Sequence, residues 1–445
     1  MQFTNIDNFI NWVQVQKRFS KKVSLDKMKY YCQLFDNPQD QFKSIHVTGT
    51  NGKGSTVAML KHILMKKGLK IATFTSPYVT CFNERICYNN TYISDEDVLT
   101  YANLFLSKYD IIEQSGYELP TFFEFITVLA FLYFASLEDL DFAIIEVGMG
   151  GRLDATNVIT PILSIITNVA FDHMQVLGNT LEEILTEKLG IVKKGVPIVC
   201  GIRDNSLQLI CQKWAKLNDT IAIFPQYEKL AIEKSDIDSS IFSYREWNQI
   251  TLSLIGYHQI DNALVVMEAF DVLQKFFEKI DYKVKLTKMD LVKGLSDVTW
   301  IGRMEKISDH PLILIDGGHN IDGIRSICEF VKSLPYRSKR AVVAISHDKE
   351  LKDMIAFIDE TFTEIIFTQY TYARSAKAID LYQISQSSHK KYNENLEEVI
   401  DEVYHSQADI TIFLGSLYLV GEVRNLIGNK SVSYTHLTLP TNSRV

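Results

Sequence analysis

A chain of 445 residues is long enough for two or three domains, each burying its own core. Apolar content of 46% and charged content of 22% are ordinary for a globular protein, and a net charge of −8 argues against a wide nucleic-acid surface while allowing a local pocket for small anions. The six cysteines (Cys32, Cys81, Cys87, Cys200, Cys211, Cys328) are dispersed without a C-x-x-C pair, which reads as free thiols in a reducing compartment rather than a disulfide or zinc framework.

The N-terminus "MQFTNIDNFINWVQVQKRF" mixes Asn and Asp with its apolar residues and lacks a secretory pattern. Next comes "SIHVTGTNGKGSTVAML", residues 44–60. Ile45 and Val47 end a buried strand, Gly49, Gly52 and Gly54 make a loop, and "STVAMLKHILMKKG" has helical spacing with a stop at Gly68. Such a corner binds anions: backbone N–H groups turn inward, the helix start is partially positive, and Lys53 adds a full charge. The usual phosphate-loop formula puts Ser or Thr directly after the lysine, whereas here Gly54 intervenes before Ser55 and Thr56. A glycine turn capped by Ser55, with Lys53 merely solvated, is the alternative. It is disfavoured because a lysine at a helix N-terminus opposes the macrodipole unless an anion is present.

Strand-like runs "KIATFT", "FAIIEVG", "ILSIITNV" and "VPIVCG" follow, alternating with amphipathic segments, so the first domain is expected to be a mostly parallel α/β sheet. Three of these runs end on polar residues: Ser76 in "TFTSPYV", Glu146 in "AIIEVGMGG", and Asp172 and His173 in "ITNVAFDHM". In an open parallel sheet the carboxyl ends of strands face the ligand crevice, and a bound triphosphate needs a divalent cation held by such groups. Singly, Ser76 before Pro77 also reads as a turn residue and His173 as a helix cap. Glu146 in an apolar strand is harder to explain away, because burying a lone carboxylate is costly. The run "FITVLAFLYFASL" is too short to span a bilayer and reads as a buried helix, so the chain is expected to be cytoplasmic and free of membrane.

The loop "GMGGRLDATN" has three glycines followed by Arg152 and Asp154. It could bring an Arg fork to a carboxylate ligand, or simply be closed by an Arg152–Asp154 pair. In "ILTEKLGIVKKG", spacing alone favours Lys188 as a snorkelling surface lysine. Residues 220–255 have short strands and suggest an antiparallel edge, and a helix begins near "DNALVVMEAF". After "VTWIGRMEKI" the strand–helix rhythm restarts with "PLILIDGGHN", "RAVVAIS", "EIIFTQY" and "ITIFLGS". We therefore expect a first domain over 1–297 and a second, smaller α/β domain over 298–430. A disordered or non-native tail over 431–445 follows a helix end at "NLIGNK". Arg303 could reach a phosphate, while Asp316 and His319 read equally as ligand groups or helix caps.

The ordered set "VTGTNGKGST", "SPYV…NERI", "TFFEF", "EVGMGGRLDATN", "TNVAFDHMQVLGNT", "EKLGIVK", "GYHQIDNA", "GRME", "DGGHN" and "GSLYLVGEVR" closely resembles the folylpolyglutamate synthase and dihydrofolate synthase branch of the Mur ligase superfamily. The resemblance runs from about residue 20 to 426. It implies the Mur ligase architecture: a P-loop-type N-terminal domain and a Rossmann-like C-terminal one. The implied activity is an ATP- and Mg2+-dependent ligase, with a monovalent cation as a further candidate. It would join L-glutamate to folate, or to dihydropteroate, as a cytoplasmic monomer.

By the same resemblance Gly52, Lys53, Gly54, Ser55 and Thr56 hold ATP phosphates, and Asn262, Arg303 and Asp316 contact ATP, Asn262 on the adenine side. Ser76, Glu146 and His173 match magnesium ligands. Phe123, Arg152, Asp154 and Ala155 fall in pterin-substrate segments. Lys188 matches a lysine that becomes carbamylated, which reverses the reading from spacing. His319, with Asn320, lies near the reacting groups; Lys53, Lys188 and His319 are the expected catalytic residues. Three departures stand out: Tyr78 replaces the usual His after "SP", "DGGHNI" replaces D-A-H-N-P, with Gly318 for Ala and Ile321 for Pro, and "ISHDKE" is diverged.

Overall fold

The computed structural model describes residues 2–17 and 24–437, with side chains described to residue 427. It divides into two compact units, one comprising Met1–Ser235, Ser239–Ser253 and His258–Thr299, the other Asp236–Asp238, Leu254–Tyr257 and Trp300–Val445.

The first unit is built on an eight-stranded sheet. In chain order its strands are β1 (Ser44–Thr48), β2 (Ile71–Phe74), β3 (Ile86–Tyr88), β4 (Thr91–Tyr92), β5 (Phe142–Glu146), β6 (Leu163–Ile166), β7 (Ile198–Cys200) and β8 (Ala222–Ile223). Their spatial order is β4-β3-β2-β5-β1-β6-β7-β8. From β2 to β8 every pairing is parallel, while β3 and β4 add antiparallel at one edge. The central strands β1, β2, β5 and β6 are buried along their whole length, as expected where helices cover both faces. Because these strands run parallel, their carboxyl ends share one edge, and there the sequence turns from apolar to polar.

The helix Phe122–Ala135 is the predicted apolar run, and Phe125, Phe131 and Phe134 anchor it in the aromatic core on one side of the sheet. Lys27 on the helix Leu25–Gln33 reaches Glu124 of that helix at 2.7 Å, a paired charge at the rim of the core.

The segment expected as an antiparallel edge divides in two. Ala222–Ile223 extends the main sheet in parallel, whereas β9 (Leu230–Ser235), β10 (Ser240–Tyr244) and β11 (Trp247–Leu252) form a separate antiparallel sheet. Tight turns set that register locally, and the alternating burial of β10 gives it one covered face.

The second unit carries a six-stranded sheet of β12 (Glu305–Asp309), β13 (Leu312–Asp316), β14 (Lys339–Val343), β15 (Glu364–Phe367), β16 (Lys390–Tyr392) and β17 (Ile410–Leu414), ordered β12-β13-β17-β14-β15-β16. All of its pairings are parallel except β12 with β13. The last helix, Leu417–Leu437, continues through Gly428 and past the end expected at Lys430; residues 438–445 of the expected tail lie outside the described residues. Among the described residues no helix is long and apolar enough to cross a membrane.

Candidate active site

In the first unit the chemistry gathers at the carboxyl edge of β2, β5, β1 and β6, four neighbours in that order. After β1 the glycine loop passes into the helix Lys53–Lys66 through Gly52, whose φ of 80° suits glycine. The N-cap residue is Gly52, which has no side chain, and Lys53 is held on loop carbonyls rather than merely solvated as the alternative required. The first N–H groups of any helix lack intrahelical acceptors, and here they face the loop. A Cβ on Gly52 would lie 2.2 Å from Asn262 Oδ1, which places Asn262 directly against the loop.

The loop is braced from the β6 end. Asn51 N–H donates to Asn168 Oδ1 at 2.8 Å, Thr50 N–H donates to the Asn168 carbonyl at 3.2 Å, and Thr167 Oγ1 donates to the Asn51 carbonyl at 2.5 Å. Lys53 Nζ lies back on the loop, donating to the Gly49 carbonyl at 3.0 Å and the Thr50 carbonyl at 3.3 Å. Thr56 Oγ1 is fully buried in the first turn without a hydrogen-bond partner. Sequence reasoning missed Thr167 and Asn168; the only available signal was two polar residues directly following a buried strand.

Glu146 at the end of β5 is 4% exposed and accepts the Ser76 backbone N–H at 3.0 Å. The contact ties the loop after β2 to the carboxylate, and two of the three residues matched to a cation thus meet. His173, after β6, is about half exposed in a left-handed conformation (φ 52°), with Nε2 4.0 Å from Asp172 Oδ2. Among the described residues no three His, Cys, Asp or Glu side chains converge to hold a metal by themselves. A buried carboxylate beside a serine suits a hard cation that keeps water or phosphate oxygens as its remaining ligands, which is the common way Mg2+ is held at nucleotides. The donor set fits Mg2+ on that basis.

Lys188 corrects the expectation from spacing. On the helix Leu181–Leu189 it is 1% exposed, and burial first, then the charge of Lys53, pushes its ammonium down to about 7 against the opposing pull of Asp172. Lys53, Lys188 and Asp172 therefore share one electrostatic neighbourhood.

The alternative in which an Arg152–Asp154 pair closes the loop is not what the structure shows. Arg152 is instead paired with Glu187 at 2.8 Å, and its N–H donates to the Glu187 carbonyl at 2.7 Å. Asp154 is buried and accepts from Met149 N–H and Thr156 N–H, each at 3.0 Å, and from Thr156 Oγ1 at 2.6 Å. Desolvation raises its carboxyl despite these bonds. Ala155 is buried in the aromatic core. Phe123 lies under Gly148, where a Cβ would come within 2.6 Å of the ring. Phe123 and Arg152 are thus partly exposed, while Asp154 and Ala155 turn inward and shape the loop.

In the second unit Asp316 ends β13, 2% exposed, and accepts Met304 N–H at 2.7 Å and Gly318 N–H at 2.6 Å. Arg303 approaches the same turn, its Nη1 3.2 Å from where a Cβ on Gly317 would be. The cap of the helix Ile321–Ser333 is Asn320, which accepts Gly323 N–H at 2.8 Å, so neither Asp316 nor His319 caps it. His319 Nδ1 lies 3.0 Å from the Gly317 carbonyl, so Nδ1 carries a proton and donates it there.

Two family models match the chain: the Mur ligase middle domain over residues 47–270 and the Mur ligase, glutamate ligase domain over residues 302–417. The chain is 36% identical over 433 residues to the dihydrofolate synthase/folylpolyglutamate synthase of Bacillus subtilis, covering 95% of this chain and 99% of that protein. It is 33% identical over 404 residues to the folylpolyglutamate synthase of Lacticaseibacillus casei, covering 89% and 92%. Among solved structures, folylpolyglutamate synthase from Thermotoga maritima superposes with a TM-score of 0.83 at 28% identity, covering 96% of this chain and 97% of that one.

Proposed function

This chain belongs to the Mur ligase family, and on that premise we propose that it is an ATP-dependent ligase joining L-glutamate to the γ-carboxylate of a folate, as a folylpolyglutamate synthase, and to dihydropteroate, as a dihydrofolate synthase. The observation that carries this reading is the placement of the glycine loop, the Ser76–Glu146 contact and the Asp172–His173 pair at the carboxyl ends of four neighbouring strands. A nucleotide over the loop presents its terminal phosphate toward the buried carboxylate on the adjoining strand.

The chemistry follows from what a carboxylate lacks. It is a poor electrophile, so the γ-phosphoryl group of ATP is first transferred to it, giving an acyl phosphate and ADP; the glutamate amine then attacks the acyl carbon and inorganic phosphate departs. Backbone N–H groups from Gly52 to Thr56 hold the phosphates, Lys53 leaves its loop carbonyls to meet them, and Asn262 takes the adenine side. Ser76, Glu146 and His173 would hold Mg2+, which when bound neutralises charge on the transferring phosphoryl group. By the family resemblance Arg303 and Asp316 match residues that contact ATP, and His319 matches one near the reacting groups. Phe123 and Arg152 face the acceptor, with Asp154 and Ala155 shaping their loop.

Lys188 has a neutral amine available near pH 7, as reaction with CO2 to a carbamate requires. The acid product of that reaction would place a negative charge near Lys53.

The test is ADP release that depends on L-glutamate, compared with tetrahydrofolate and with dihydropteroate as acceptor. Release with either acceptor, and only with glutamate present, supports the ligase. Release without glutamate would make the protein a simple nucleotide hydrolase and end the reading.

A further inference from the structure

His46 sits in the middle of β1, fully buried, and no step above uses it. Its Nε2 lies 2.9 Å from Thr156 Oγ1, and that oxygen lies 2.6 Å from Asp154 Oδ1. The direction of both bonds follows from counting protons. Asp154 Oδ1 already accepts the Thr156 N–H, so it is an acceptor, and the single hydroxyl proton of Thr156 goes to it. Thr156 Oγ1 can then only accept from His46, which makes the ring the Nε2–H tautomer. Its other nitrogen, Nδ1, is buried without a partner. An unpaired acceptor is the more tolerable of the two orphans, since buried N–H groups are almost always satisfied. Burial and then Lys193 hold the imidazole down to about 3, so it stays a neutral donor at any physiological pH.

At the far end of this series the Asp154 carboxylate gathers N–H groups from Gly148, Met149 and Thr156. It thereby closes a loop that contains Gly148, Gly150 and Gly151, which contribute no side chains to hold it. The loop starts next to Glu146, lays Gly148 on the Phe123 ring, and passes Arg152 to Glu187, the neighbour of Lys188.

We propose that the buried series His46–Thr156–Asp154 positions the acceptor side of the ligase reaction, holding the glycine loop in the one arrangement that presents Arg152 and the Phe123 face. His46 and Thr156 are positioning residues and touch no substrate. The proposal rests on the ligase reading above.

Thr156→Val keeps the shape of the side chain but strips the hydroxyl, leaving the His46 N–H without its acceptor and Asp154 one donor short; Thr156→Ser restores the hydroxyl. Glutamate-dependent ADP release is measured against acceptor and against ATP. The expected result for Thr156→Val is an acceptor KM raised about tenfold or more, as misplacement of a binding group produces, with the ATP KM within about twofold. Thr156→Ser is expected within about threefold of the unaltered enzyme, since it keeps both hydrogen bonds. A serine variant as impaired as the valine one, an unchanged acceptor KM, or equal rises in both KM values would overturn the proposal. Should Thr156→Val not fold, His46→Gln and His46→Met decide. Glutamine can still donate to Thr156 and methionine cannot, so only methionine should raise the acceptor KM; identical behaviour of the two overturns the relay. Unaltered protein that releases no ADP with any folate acceptor refutes the ligase reading instead, before any variant is compared.

Discussion

Replacing Lys188 by methionine isolates the most perturbed charge at the site. The amine falls from the ordinary 10.5 to about 7 in the folded protein, where it is 1% exposed. At about 1.4 kcal/mol for each tenfold, holding this ammonium charged in its buried position costs about 5 kcal/mol. The same shift raises the neutral fraction at pH 7 from about one molecule in 3,000 to about half, and only the neutral amine adds to CO2. The sign for stability follows from proton counts. Between pH 7 and 10.5 the unfolded chain binds more protons than the native one, so stability rises with pH across that window, and below about 7 the cost is present in full. In CO2-free buffer at pH 6, Lys188→Met should therefore be more stable than the unaltered protein, with the difference shrinking toward pH 10. In bicarbonate, 13C label should enter the unaltered protein but not the methionine variant, and the variant's glutamate-dependent ADP release should fall by about a hundredfold or more, as lost electrostatic support of this kind does. Lys188→Arg retaining full turnover would refute the reasoning, because guanidinium is always charged and forms no carbamate.

Lys53→Ala should lower turnover about a hundredfold, read by the same ADP assay, since the ammonium held on the loop carbonyls is removed. Glu146→Gln keeps an acceptor for the Ser76 N–H but drops the carboxylate charge, so a magnesium titration should require far more metal to reach half-maximal rate; an unchanged titration would exclude Glu146 as a ligand. Gly52→Ala combines a φ of 80° with a contact 2.2 Å from Asn262 Oδ1, and should raise the ATP KM while leaving the acceptor KM near its original value. Glu268→Ala strips Arg245 and the Tyr244 hydroxyl of a shared buried carboxylate; with Asp271 still present, denaturant unfolding of the first unit should show a loss of about 3 kcal/mol.

How much of this was legible beforehand depended on the range of the interaction. The phosphate loop, the parallel sheet and the polar strand ends were written in local order: an apolar run, then glycines and a lysine, then helical spacing. Backbone sterics and hydrophobic periodicity act over a few residues, and a single stretch such as "SIHVTGTNGKGST" therefore carries them whole. Glu146 was marked by its misfit in an apolar strand, again a local signal.

The fate of each side chain was not local. Lys188 has the spacing of a surface lysine, and only the packing of its helix against neighbouring strands buries it beside Lys53. Arg152 has Asp154 two residues away yet pairs with Glu187, because Asp154 is occupied by the turn it closes. The bracing of the glycine loop by Asn168, and of the "GGRLDATN" loop by His46, joins residues more than a hundred positions apart. The amino-acid order by itself determined which elements form and which edge of the sheet holds the chemistry. Tertiary structure alone decided which groups are charged, paired or pinned there, since burial and proximity are properties of the packed chain and leave no periodic trace along it.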